Sequence, residues 1–270
     1  MSRPAPAPPG ARATVGGRVV AVLLAGCLAL AGCVSVRPLE LVPVERVAQT
    51  PLVLDADGRA VAALHGPEDR TAVGLERVSR WMRLAVVDTE DARFWRHGGV
   101  DWLAVARAAA RDLERRRVVE GGSTITQQYV KNAFPGVGRD RTLFRKLKEA
   151  VLAVKLERKF SKDQILEFYM NTVYFGRGAY GIDAAARTYF KRKAEHLRPD
   201  QSALLAGVIR SPEFYGKPEH ATSAKVRRDY ILQAMVDRGW LTAKEGRAAM
   251  ASKLGISWKT KTQGIANSKA

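Results

Sequence analysis

Gly121-Gly122-Ser123-Thr124-Ile125-Thr126-Gln127-Gln128 is polar, uncharged and led by two glycines, and it lies between segments with the spacing of amphipathic helices. A solvated loop usually carries charge or proline, and this run has neither. Its glycines permit a tight backbone turn, and the hydroxyls and amides that follow suit a polar ligand. Read alone, the run is a Gly-Gly turn with Ser123 or Thr124 as the N-cap of a helix. The neighbouring segments decide whether it is more.

On the N-terminal side, Arg77 to Val87 sets Val78, Trp81, Met82, Leu84 and Ala85 at helical spacing. Asp101 to Val118 repeats the pattern with Trp102, Leu103, Val105, Ala106 and Ala109, and arginines on the other face. On the C-terminal side, Thr142 to Phe160 is amphipathic, and Ser161 reads as the N-cap of a helix through Asn171. Helices are also expected over Asp183–Phe190, Asp200–Ile209, Ser223–Arg238 and Thr242–Ala251, punctuated by Pro199, Pro212 and Gly239. Leu52–Leu54 and Val61–Leu64 flank Asp57-Gly58, the pattern of a small hairpin in a linker over 37–70. The expected fold is mainly α, with one helical domain over 71–252 and a basic tail over 253–270 whose composition is that of disorder.

Two N-terminal segments precede the linker. Residues 1–18 are rich in Pro and Ala and basic, and 19–36 are uncharged and mostly apolar. The second run is close to the ~20 residues that span a bilayer. Positive charge before it favours a cytoplasmic N-terminus and an exported body. Leu30-Ala31-Gly32-Cys33 resembles a bacterial lipoprotein processing site, and Leu24-Ala25-Gly26-Cys27 repeats it. The segment is therefore either an uncleaved anchor or a signal whose processing leaves a lipidated Cys33. Either way the body is tethered to a membrane, outside the cytoplasm.

The formal net charge of +18, from 45 Lys and Arg against 27 Asp and Glu, calls for an anionic partner: nucleic acid, a membrane surface or a phosphorylated substrate. The two cysteines, Cys27 and Cys33, lie in the apolar segment, which leaves the body without a disulfide framework or a cysteine metal site. The four histidines have no zinc-ligand spacing.

Other constellations flank the opening run. Glu90-Asp91-Ala92-Arg93-Phe94-Trp95-Arg96-His97-Gly98-Gly99 lies between two expected helices, with paired carboxylates, a histidine and aromatics. Asp91 and His97 fit a helix-capping loop. Glu90 does not, because its charge at a helix C-terminus opposes the dipole. Lys131 and Asn132 follow the polar run. Arg145 and Glu149 are four residues apart, on one helix face with Lys146 nearby. A fourth block runs Lys162-Asp163-Gln164-Ile165-Leu166-Glu167-Phe168-Tyr169-Met170-Asn171, then Tyr174-Phe175-Gly176-Arg177-Gly178-Ala179-Tyr180-Gly181. Glycines interleaved with tyrosines suit close backbone approach.

In this order and spacing the blocks resemble the signature of the bacterial peptidoglycan glycosyltransferases, the glycan-polymerising domains of penicillin-binding proteins and of monofunctional biosynthetic transglycosylases. The resemblance covers about 75–240 and includes a fifth block, Ala203-Leu204-Leu205-Ala206-Gly207 through Pro212. Tyr129 stands where leucine is usual. No Ser-x-x-Lys of a transpeptidase domain occurs, so the monofunctional type is expected.

The resemblance implies a lysozyme-like helical domain that polymerises lipid II at the outer face of the cytoplasmic membrane. Glu90 would be the base and Glu149 the second carboxylate. Lys131, Arg145 and Lys146 would meet the diphosphate. Gly122, Ser123, Thr124 and Gln128 would contact the sugar or diphosphate, and Asp91, Phe94, His97, Asn132, Tyr169, Asn171, Gly176 and Gly181 complete the expected substrate site. No cofactor is required, with room for a divalent cation such as Mg2+. The implied partners are lipid II, the growing glycan strand, membrane lipids, and transpeptidases or other wall-synthesis proteins, without nucleic acid. Rival readings are a glycan-cleaving lysozyme or lytic transglycosylase, a basic nucleic-acid-binding module, and a catalytically dead scaffold.

Overall fold

Helical periodicity in the sequence becomes helix almost throughout. The computed structural model describes residues 52–54, 60–63, 72–115, 122–134 and 143–258, and its described residues contain ten α-helices and one hairpin. The hairpin pairs β1 (Leu52–Leu54) antiparallel with β2 (Ala60–Ala63), Leu52 opposite Ala63. The Asp-Gly turn between them, and the N-terminal segments 1–18 and 19–36, lie outside the described residues. Among the described residues no helix is long and apolar enough to cross a membrane.

The helices are α1 (Arg80–Asp91), α2 (Trp102–Arg115), α3 (Ile125–Ala133), α4 (Leu143–Lys159) and α5 (Lys162–Thr172), then α6 (Ile182–Phe190), α7 (Pro199–Ile209), a single-turn α8 (Pro212–Tyr215), α9 (Ala221–Asp237) and α10 (Ala243–Ala251). Several starts are written locally. Thr124-x-x-Gln127, Ser161-x-x-Gln164 and Thr242-x-x-Glu245 each form a reciprocal capping box at α3, α5 and α10. The polar run thus contains a helix start: of the two candidate caps Thr124 serves, and Ile125 onward is helix.

Two groups of helices make the body. In one, α7 is buried nearly along its whole length and packs against α1 and α9, as a helix apolar on all sides must. In the other, α3 packs against α4 and α5. The C-terminal end of α10 is tied to the first group by Arg228, itself buried, whose guanidinium donates to Met250 O (2.8 Å) and Ser252 O (3.0 Å). Those carbonyls have no partner within the helix, so a cation there satisfies both orphan acceptors and dipole. The last turn of α1 and the middle of α3 meet where the two groups join.

Gly176 and Gly181 of the fourth block lie against neighbouring backbone. Gly181 has φ +83°, and a Cβ there would lie 2.8 Å from the Asn171 carbonyl oxygen. Gly181→Ala should therefore destabilise the fold by more than the ~1 kcal/mol typical of single substitutions and lower the melting temperature clearly. A thermal melt within a degree of wild type would contradict this.

Candidate active site

Glu90 sits part-buried in the last turn of α1 and reaches across to α3, where Gln128 Nε2 donates to its Oε2 at 3.0 Å. The amide orientation of Gln128 is set from behind. Tyr169, fully buried on α5, donates its hydroxyl to Gln128 Oε1 at 3.1 Å. Burial pushes the Tyr169 phenol well above its usual range, and the charges of Glu90 and Asp91 add to that. It therefore remains a donor, and Gln128 is left with its NH2 toward Glu90.

Burial also pushes the Glu90 carboxyl above the ordinary glutamate range. The Gln128 bond and the charges of Arg227 and Arg210 pull it back in part, while Asp91 raises it. The helix C-terminus acts in the same direction as burial. Such a carboxylate is a stronger base than an exposed one, which suits proton abstraction. Removing the Tyr169 hydroxyl should loosen the Gln128 donation and raise this pKa further. Tyr169→Phe is expected to move the acidic limb of the pH–rate profile to higher pH and to lower turnover severalfold. An unmoved limb would exclude the relay.

Asp91, the next residue, is buried. Its Oδ2 accepts from the Ile125 amide (3.0 Å), and both oxygens lie within 3.0 Å of His97 Nε2. These two residues hold the start of α3 against the end of α1. Thr124 Oγ1 adds to the same joint by donating to Gly99 O at 2.6 Å. A cleft of about 120 Å³ opens here, with Glu90 and Asp91 on one wall and Gly122, Ser123 and Thr124 on the other. Arg93 and the exposed Arg107 also line it, and Arg93 is ion-paired to the buried Asp101 (3.2 Å).

The cations approach through Ser123. Lys146 Nζ donates to Ser123 Oγ (2.6 Å) and lies 2.9 Å from Glu149 Oε2. Glu149, 1% exposed, also pairs through Oε1 with Arg145 Nε at 3.2 Å. One buried carboxylate on α4 thus holds two cations three and four residues away. Lys131 and Asn132 are exposed on the last turn of α3 and share a face with Gln128. Among the described residues no three His, Cys, Asp or Glu converge as a metal site. Glu149 is already engaged by two cations, so the described side chains do not form a site for a divalent cation.

The remaining expected site residues lie elsewhere. Phe94 is fully buried beneath Lys162, whose Nζ stands 4.4 Å over its ring. Asn171 clasps the backbone of Val73 with both halves of its amide (3.0 and 2.9 Å). Gly176 and Gly181 fit against the Pro212 and Asn171 carbonyls. Tyr129, the departure from the expected leucine, is buried between Phe134 and Phe168.

Arg210 and Arg227 were not among the expected residues, although their charges act on Glu90. Gly207 was the sequence signal for Arg227. A Cβ there would lie 2.9 Å from Arg227 Cγ, so the glycine gives α9's arginine room across α7.

Residues 57–236 match the family described as Transglycosylase. The chain belongs to the transglycosylase family. Among the similar proteins are penicillin-binding protein 1F of Bacillus subtilis (strain 168), 41% identical over 211 residues, and penicillin-binding protein 1A of Aquifex aeolicus (strain VF5), 41% identical over 209 residues. These alignments take in 78% and 77% of this transglycosylase but 29% and 28% of the two relatives, so the chain spans under a third of their length. A crystal structure of penicillin-binding protein 1A from Haemophilus influenzae aligns over 78% of this chain and 22% of its own, at 20% identity and a TM-score of 0.45, too slight a likeness to build on.

Proposed function

We propose that this transglycosylase polymerises lipid II into linear peptidoglycan strands. It forms β-1,4 bonds with inversion and releases undecaprenyl diphosphate. The observation that carries the reading is one cleft that holds Glu90, with its raised pKa, opposite Ser123, whose hydroxyl is held by Lys146. Glu90 takes the proton from the acceptor 4-hydroxyl of N-acetylglucosamine, and that oxygen attacks the anomeric carbon of the growing chain. The electrons of the breaking bond leave on the diphosphate. A diphosphate needs no proton donor to depart, unlike a sugar alcohol in glycoside hydrolysis, but it needs fixed positive charge. Lys146, Arg145 and Lys131 supply that charge. Glu149 orients the first two, and Gln128 aims Glu90.

The domain is taken to be of the lysozyme-like type. The segment 19–36, or a lipid on Cys33, would hold it at the outer face of the cytoplasmic membrane. The first turns of α2 leave Trp102 (60%) and Leu103 (55%) exposed, a surface suited to the headgroup region where a lipid-linked substrate is met. Membrane lipids and other wall-synthesis proteins, transpeptidases among them, are the corresponding partners.

The test is incubation of the purified full chain with lipid II and, separately, with preformed glycan. Polymer from the first and no fragments from the second is the expected result. Cleavage without polymerisation would assign the site to a lytic enzyme, and no reaction with either would leave a scaffold.

A further inference from the structure

A second cavity of about 280 Å³, more than twice the cleft at Glu90, lies beside α1. Arg80, Arg83, Leu84, Val87 and Asp88 face it from one stripe of that helix. Ala92 lines both cavities, so the end of the catalytic helix separates them. The lining is more apolar than polar, with Leu84, Val87 and Leu166 and the indoles of Trp95 and Trp240. Trp95 is 54% exposed, although Phe94 beside it is fully buried. None of this is used by the chemistry at Glu90.

The charges at the cavity are unequal. Arg80, Arg83 and Arg238 face Asp88 and Asp163, and Asp88 is ion-paired with Arg238. Arg83 Nε is buried with no hydrogen-bond partner among the described residues. That atom has no surface open to the cavity, so it is through the outer parts of Arg80 and Arg83, which line it, that an anionic oxygen, the usual complement of a guanidinium, would be met. The cavity therefore suits a ligand with an anionic head and an apolar body.

We infer that the cavity seats an anionic phospholipid of the surrounding bilayer, its phosphate on Arg83 and Arg80 and its acyl chain against Leu84, Val87 and Leu166 between the two indoles. Indoles and arginines around an apolar wall are the composition of protein at headgroup depth. An acidic peptide would have less use for so apolar a wall. The inference rests on the membrane location proposed above and deepens it. A lipid held at the end of α1 sets the depth at which the cleft of Glu90 opens, so that a lipid-linked sugar meets it without leaving the bilayer surface.

The full chain in neutral detergent is titrated with phosphatidylglycerol, phosphatidylcholine, glycerol 3-phosphate and an acidic tryptophan-containing peptide. Native mass spectrometry and tryptophan emission are the readouts, and polymerisation of lipid II is measured on the same samples. Saturable binding of phosphatidylglycerol, at least tenfold tighter than phosphatidylcholine and weakened at least tenfold by Arg83→Gln, is expected. Trp95→Ala, at an exposed position, should remove most of the emission shift with its melting temperature unchanged. Retention that is equal for the two lipids, or unchanged in both variants, overturns the proposal, as does glycerol 3-phosphate or the peptide binding as tightly as the lipid. Lipid binding in a sample that does not polymerise would sink the functional reading alone; polymerisation without selective binding would sink the lipid site alone.

Discussion

Glu90→Gln should reduce lipid II polymerisation by about 10²–10⁴-fold, the usual contribution of a positioned general base. The substitution is nearly isosteric, and the side chain is only part-buried at the end of α1. Removing a charge whose burial is unfavourable should leave stability unchanged or slightly improved. Loss of turnover with an unchanged melt therefore isolates the chemistry. Wild-type rates should rise with pH as Glu90 loses its proton, over a range above that of an ordinary glutamate, because burial raises its pKa. The variant should lose that limb. Half or more of the wild-type rate in Glu90→Gln would remove Glu90 from the mechanism.

Glu149→Ala should be the most damaging change away from the cleft. It leaves the Arg145 guanidinium, whose side chain is 17% exposed, without its carboxylate, and Lys146 without the group that holds it on Ser123. Breaking a buried pair by removing one partner costs about 3–5 kcal/mol. The Lys146 side chain is 44% exposed and water replaces part of its loss, so a value near the lower end, about 3 kcal/mol, is expected here. That corresponds to a fall of about 6–12 °C in melting temperature for a domain of this size. Turnover should fall as well, because the two cations repel one another once the carboxylate is gone. Glu149→Gln, which keeps the shape and one acceptor but turns its NH2 toward the other cation, should recover only part of the stability and little of the rate. If Glu149→Ala melted like wild type, the pairing of Glu149 with both cations would be wrong.

Most of the helices were legible because they depend on neighbours in sequence. Apolar residues three and four apart mark α1, α2 and α4, and Ser161 and Thr242 begin α5 and α10 through local capping boxes. The start of α3 was legible only as one of two candidate caps. Its decisive feature, Gln127 three residues after Thr124, became clear from the reciprocal bonds between them. The ordered blocks that mark the family are likewise a property of the linear chain.

The Arg145–Glu149 pair was legible from its four-residue spacing, but pairing between distant polar side chains was not. Asn171 and Tyr169 are two residues apart on α5, yet one clasps Val73 at the domain's entrance and the other aims Gln128 at Glu90. The partners of Glu90, Thr126 and Ser123 lie 38, 31 and 23 residues away along the chain. Arg227 reaches the neighbourhood of Glu90 because Gly207 leaves space on a different helix. Periodicity and capping are decided within one or two turns, so the sequence by itself determined the helices, their starts and the family. That Glu90 lies part-buried against an amide donor from α3, with its pKa raised, depends on desolvation and on donors from distant segments, and only the packing of the two helix groups against each other decided that.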